Sequence, residues 1–359
     1  MFFNIDADEG GSIRGWLALD NPSAIPVLII VIPDREEIRL EANILRSDIR
    51  ELGIHSTGQV GFNVTADLVP DLDQIDEITI VEAETRLPMF RRFQIDKHIE
   101  KKLFLFDCSV MPQRLLLSAL LKHFTLSYVN AERFPLETML VVINNSFSKS
   151  LLMVGRSNFN RYASLLNNAG YVRAALLRDP FEELAERLLF LRILSKPETS
   201  NLSAMYTTGI ESLAAFARGL PLDDQKALTS AFRAVTVEQR QALMSPMTRV
   251  FGCDFDESPH RRHLPLALEN LATMDVVGTR ARFGAFKDLL TGVLGANVLG
   301  DSSPTNFAPI QTLAASLSRI GIVADLLEHD LELYSYVNDA VAAGFEDGGL
   351  ETGRDPQTI

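Results

Sequence analysis

The chain has 359 residues, enough for two domains or three. Hydrophobic residues make up 47% and charged residues 23%, the balance of a globular protein with real cores. A net charge of −13 and a pI near 5.0 argue against broad attraction to nucleic acid or anionic lipid, and leave room only for a local basic pocket. Two cysteines, Cys108 and Cys253, lie far apart and read as reduced thiols. The N-terminus carries acids early and does not read as a signal peptide. The longest apolar run, Ile25–Ile32, contains Pro26 and is too short to span a bilayer. These features predict a cytoplasmic protein without a transmembrane segment.

Residues 1–97 are expected to form a small β-sandwich. Gly15–Leu19, Val27–Ile32, Ile38–Ala42, Gly58–Val64 and Glu77–Ala83 are the strand candidates, with turns at Asp20–Ser23 and Pro33–Arg35. Arg46–Leu52 reads as a short helical turn before Gly53. Trp16 offers a surface for sugar stacking or a piece of core. Ile13-Arg-Gly-Trp16, Pro26–Val31, Arg46-Ser-Asp48, Gly53 and Gly58–Phe62 resemble a β-domain fused to bacterial glycosyltransferases and sulfotransferases of surface-polysaccharide systems.

A charged hinge, His98–Lys102, leads to the strand Leu103–Phe106, the loop Asp107–Gln113 and a helix over Arg114–Phe124 with Leu115, Leu116, Ala119 and Leu120 on one face. Strand, loop and helix in this order form a phosphate cradle in many proteins. Here the loop has neither glycine nor lysine, and Ser109 and Arg114 are the substitutes. Thr138–Asn144 reads as the next buried strand, followed by a polar loop with Lys149. Gly155–Arg161, which includes Arg156, leads into a helix over Tyr162–Asn168 that Gly170 ends.

The central stretch is Ala174–Leu191. Ala174–Leu177 is a brief strand, broken by Arg178-Asp179-Pro180. Pro180 suits the first turn of a helix, Asp179 its cap, and Glu182 and Glu183 its positive end. Arg178 sits where open α/β sheets hold ligands, and its fork could grip a phosphate or sulfate, or pair with a nearby acid. Beyond residue 199 the spacing predicts helices over Ile210–Ala217, Leu222–Ala234, Val237–Leu243, Leu264–Met274, Phe283–Leu294, Ile310–Leu331 and Leu333–Ala343. Asp223 reads as a cap, Thr236–Gln239 as a capping box and Asp275–Gly278 as a short strand. Residues 346–359 read as a disordered acidic tail. The predicted fold class is thus α/β: a β-sandwich, then a parallel-sheet, P-loop-like domain over 103–345 with a largely helical C-terminal half.

Arg178–Ala185 after an apolar strand resembles the 3′-phosphate motif of carbohydrate sulfotransferases. Phe104–Ser109 resembles their 5′-phosphosulfate loop, Met274–Phe283 their late strand and helix, and Asp330–Tyr334 their C-terminal signature. The resemblance implies a 3′-phosphoadenosine-5′-phosphosulfate donor, a carbohydrate or glycoconjugate acceptor hydroxyl, and no metal. Arg178, Ser109, Arg114, Lys149 and Arg156 would hold the donor. The base is unknown, with His260 and His263 as candidates in a stretch (Cys253–His263) that has metal-ligand vocabulary but no zinc spacing.

The chain departs from the family at two places. Asp107 puts negative charge at the loop entrance, and Glu186 replaces the serine that follows the motif arginine by two turns. The alternative is therefore an inactive transferase-like fold that binds carbohydrate or protein. Glycosyltransferase activity is a third reading, and a homo-oligomer is left open.

Overall fold

The computed structural model describes residues 1–92, 98–194, 210–304 and 307–351, with side chains to 344. The N-terminal segment builds two four-stranded antiparallel sheets. One runs β1 (Phe2–Asp8), β2 (Ser12–Ala18), β6 (Gln59–Thr65), β5 (Ile44–Leu45). The other runs β4 (Ile38–Glu41), β3 (Val27–Val31), β7 (Ile78–Glu82), β8 (Pro88–Arg92). Alternation explains the buried faces: Ile13, Gly15 and Leu17 point inward on β2, Val60, Phe62 and Val64 on β6. Gly15 is required, because a Cβ there would lie 2.4 Å from the Asn4 carbonyl and 2.8 Å from the Phe62 ring.

The sheets share a half-buried polar tie. Arg92 at the end of β8 donates through Nε to Asp8 at 2.9 Å and through Nη2 to the Gly10 carbonyl at 2.8 Å. It reaches the Leu72 carbonyl as well. The predicted helical turn is α1 (Ser47–Glu51). Trp16 is half-buried against a small cluster of Ala18, Ile49 and Val60, so its body serves packing. Strands β1 and β8 were not expected. Both lie at sheet ends and carry charged or mixed residues.

A five-stranded parallel sheet follows, in the order β10 (Leu126–Val129), β11 (Leu151–Gly155), β9 (Lys102–Asp107), β12 (Tyr171–Leu177), β13 (Val276–Thr279). Its first strand in the chain, β9, is central; the next two lie on one side and the last two on the other. Helices α2 (Arg114–Leu120), α3 (Leu136–Ile143), α4 (Phe159–Asn168) and α5 (Pro180–Leu194) follow the strands. In α2, Leu116 and Leu120 are buried, while Leu115 is exposed, contrary to the expected face.

One assignment is corrected. Thr138–Asn144 is not a strand but most of α3, and the strand is β11. Pro135 fixes the backbone at the helix start, and Thr138, Met139, Val142 and Ile143 are buried at helical spacing. A short, fully apolar run carries no periodic signal that separates a buried strand from a buried helix.

The remainder is helical: α6 (Glu211–Gly219), α7 (Gln225–Arg233), α8 (Val237–Leu243), α9 (Pro246–Gly252), α10 (His263–Ala272), α11 (Phe283–Leu294), α12 (Ala308–Leu317), α13 (Gly321–Leu326) and α14 (Glu328–Glu351). Leu184, Leu188 and Leu191 of α5 join Leu213, Phe232, Leu313 and Val323 in one core cluster. Asp224, not Asp223, caps α7 by accepting from the amides of Lys226 and Ala227. The Thr236–Gln239 capping box forms at α8. The single helix expected over Ile310–Leu331 is broken where Ile320 turns extended and buries its side chain. Of the expected tail, residues to Glu351 continue α14, and 352–359 lie outside the described residues.

By contact density the chain divides into two compact units. One comprises Met1–Phe104, Leu120–Val154 and Leu165–Tyr171; the other comprises Leu105–Ala119, Gly155–Ser164 and Val172–Ile359. No helix among the described residues is long and apolar enough to cross a membrane.

Candidate functional site

Open parallel sheets place ligands beyond the carboxyl ends of their strands, where strand order reverses. Here that edge is beside β9. Four strand ends supply polar residues to it: Asp107-Cys108-Ser109 after β9, Arg156-Ser157 after β11, Arg178 after β12 and Arg280 after β13. The helix after Arg178 starts as expected, with the Asp179 carboxylate accepting from the amides of Phe181 and Glu182 at 2.9 and 3.1 Å.

The Arg178 fork points into carboxylates. Nη1 is hydrogen-bonded to Glu186, and Nε donates to Glu182 at 3.1 Å. Arg178 is 5% exposed and Glu186 1%, so this pair is shut off from solvent. Burial works against the Arg178 charge, but Glu186 and its neighbours hold its pKa above the ordinary value. Gln113 approaches the second Glu186 oxygen at 3.4 Å. Arg280 completes the cluster: Nη1 stands 3.8 Å from Glu186, and Nη2 contacts the Ser109 hydroxyl and, at 3.5 Å, Asp107. Asp107 also folds onto its own loop, accepting from the Ser109 amide at 3.1 Å and its hydroxyl at 2.7 Å. The loop thus makes an Asx-type turn around its own carboxylate.

A second group lies on the adjoining face of α5. Glu183 and Arg187 are both buried and approach to 3.6 Å. Burial pushes the Glu183 carboxyl up to about 7 despite the attraction of Arg187, and burial likewise lowers Arg187. Both Glu183 oxygens, Arg187 Nε, Arg280 Nε, Gln113 Oε1 and the Ser157 hydroxyl are buried without a protein hydrogen bond. Such groups take up water or ligand atoms. Cys108 is buried, and burial together with Glu183 and Asp107 holds its thiol well above the ordinary value, so it is no nucleophile at neutral pH.

Of the residues nominated from sequence, Arg178 and Ser109 are joined through Arg280 and Glu186. Arg156 is half-buried and close enough to act electrostatically on Cys108 and Arg187. Arg114 is exposed at the start of α2. Lys149 belongs to the first unit, where it lines a separate recess. His260 is exposed, whereas His263 is 1% exposed and committed to its own loop. The His263 Nδ1 accepts the His260 amide, and its Nε2 faces Glu257 at 3.0 Å. Among the described residues no group of three or more His, Cys, Asp or Glu side chains could hold a metal ion. Asn158 and Asn160 donate to the Cys253 carbonyl, pinning the start of α4 rather than reaching for a ligand.

Sequence reasoning missed Arg280, Gln113, Glu183 and Arg187. For Arg280 the signal was present. It follows a predicted short strand, as Arg178 does. No family model and no curated protein matches the sequence. The second unit also carries an apolar groove of about 790 Å³ along α10, β13, α11 and α14, lined by residues such as Leu271, Val277, Leu289 and Val341.

Proposed function

We propose that the chain is a sulfotransferase-like scaffold whose donor centre is sealed by its own carboxylates, and that it works as a binding module rather than as a sulfuryl transferase. The observation that carries this reading is the buried Glu186 clamped on Arg178 with Arg280 beside it. A donor 3′-phosphate at Arg178 would sit within about 4 Å of that carboxylate. At an effective dielectric of 20, each unit of phosphate charge would be repelled by about 4 kcal/mol. The two arginines that would offset this, Arg178 and Arg280, are already engaged with three carboxylates, Glu186, Glu182 and Asp107.

A second reading, an active transferase acting on a carbohydrate hydroxyl, is favoured by the unsatisfied Arg280 and Ser157 donors and by Glu183, whose raised pKa suits a base near neutral pH. Calorimetric titration with adenosine 3′,5′-bisphosphate separates the two. The sealed centre predicts no saturable binding at millimolar ligand. Micromolar binding that Arg178→Ala abolishes would establish a working donor site instead.

A further inference from the structure

We propose that a recess in the first unit is a saccharide site, with Phe147 as the platform on which a sugar ring stacks. The proposal rests on the reading of the chain as a binding module and names what that module takes. The recess has a volume of about 320 Å³, within the range of pockets that hold small organic ligands. It is framed by the end of β8, the segment His98–Glu100, the start of β10 and the loop before β11.

Phe147 is the decisive residue. It is 40% exposed, in a loop that otherwise reads Asn-Asn-Ser before it and Ser-Lys-Ser after it. Its ring stands 5.6 Å from that of buried Phe90, tilted by 58°. The loop is held firmly. The Ser148 amide donates to Asn145 Oδ1 at 2.9 Å, and the Ser148 hydroxyl donates to the Ser150 carbonyl at 2.9 Å. The Thr125 amide donates to the Ser150 hydroxyl at 3.0 Å, and Lys102 reaches the Asn145 carbonyl. An aromatic ring fixed at the mouth of a recess is preorganised for a flat apolar face, and a sugar ring offers one in its C–H groups.

The rim selects hydroxyls over strong anions. Arg92 is spent on Asp8 and three carbonyls, and Arg91 pairs with Glu77 at 2.8 Å. Among the described residues, the exposed charges left on the rim are one cation, Lys149, and one anion, Glu100, which offset each other. His98, whose Nδ1 is hydrogen-bonded to the Thr125 hydroxyl at 3.0 Å, is kept below its ordinary pKa by burial and by Arg91. It is therefore uncharged near pH 7 and adds no cation to the rim. A lining of opposed charges, a neutral imidazole and an exposed aromatic ring matches a neutral mono- or disaccharide better than a phosphate or sulfate.

Saturation-transfer NMR on the full chain, with maltose, lactose and cellobiose as probes, tests the site. The expected result is saturable transfer from at least one disaccharide, concentrated on the C–H protons of one ring face. Phe147→Ala should weaken that binding about tenfold, the worth of one aromatic contact. Phe255→Ala, which truncates an exposed ring of the second unit, should leave it unchanged. Both variants truncate exposed side chains, and equal unfolding midpoints would verify their folds. No saturable transfer from any of the three sugars, or binding indifferent to Phe147→Ala, would overturn the proposal. A chain that binds sugar and also adenosine bisphosphate keeps this site and loses the sealed centre. A chain that binds neither keeps the sealed centre and loses this site.

Discussion

Replacing Arg178 with alanine distinguishes a structural arginine from a ligand-holding one. The Arg178–Glu186 pair is almost fully buried, at 5% and 1% exposure. At a separation of about 3 Å and an effective dielectric of 20, its gross attraction is about 5 kcal/mol. Arg178→Ala leaves the buried Glu186 carboxylate with Arg280 at 3.8 Å and the Gln113 amide at 3.4 Å to compensate. Removal of one partner from a buried pair costs about 3–5 kcal/mol, and the residual Arg280 contact brings the expected loss to about 2–4 kcal/mol. At about 2–4 °C per kcal/mol, the melting temperature should fall by roughly 5–15 °C. Urea and thermal unfolding of Arg178→Ala, Glu186→Ala and the double variant form a cycle. Its coupling should be about 2 kcal/mol, with the double variant less damaged than the sum. An arginine held open for a donor behaves otherwise, because removing it relieves repulsion among cations and is neutral or stabilising. A neutral or stabilising Arg178→Ala would refute the clamp.

Two further outcomes follow from buried carboxylates of the second unit. Asp330, fully buried, accepts from the Met247 amide at 2.9 Å, the Thr248 amide at 2.7 Å and the Thr248 hydroxyl at 2.8 Å, anchoring the start of α9. Asp330→Ala leaves three buried donors unpaired and should cost about 3 kcal/mol or more in urea unfolding; a loss below about 1 kcal/mol would contradict that role. Burial raises the Glu183 pKa from 4.5 unfolded to about 7 folded. A raised folded pKa contributes stability that is present below 4.5 and is lost as pH rises through 7. Glu183→Gln, which cannot ionise, should therefore gain on wild type between those pH values, by at most about 3 kcal/mol. A pH-independent difference between the two proteins would show that Glu183 does not titrate in that window.

The parts of this fold that were legible in the sequence are those written locally. The Arg178 corner was readable because Asp179, Pro180 and the first-turn glutamates act within one turn of each other. The Thr236 capping box and the alternating strands β2 and β6 were readable for the same reason. The exchange of α3 and β11 was not. Both are short apolar runs, and only their tertiary partners distinguish them. The site was half legible. Glu186 stood out as a departure, and the sequence left open whether Arg178 grips a phosphate or pairs with a nearby acid. The pairing with Arg178 lies within one helix and its approach, but Arg280 arrives from a strand far along the chain. Lys149 and Arg178 looked alike as isolated cations, and only the fold assigns one to a recess of the first unit and the other to a buried pair.

The most direct measurement is titration of adenosine 3′,5′-bisphosphate into wild-type protein and into Glu186→Ser, which places two turns after Arg178 the serine that the proposed sulfotransferase likeness calls for. The account predicts no saturable heat with wild type. With Glu186→Ser it predicts measurable binding, because the Arg178 fork is released and the repelling charge is gone. Tight binding by wild type, unchanged or weakened by Glu186→Ser, would contradict it.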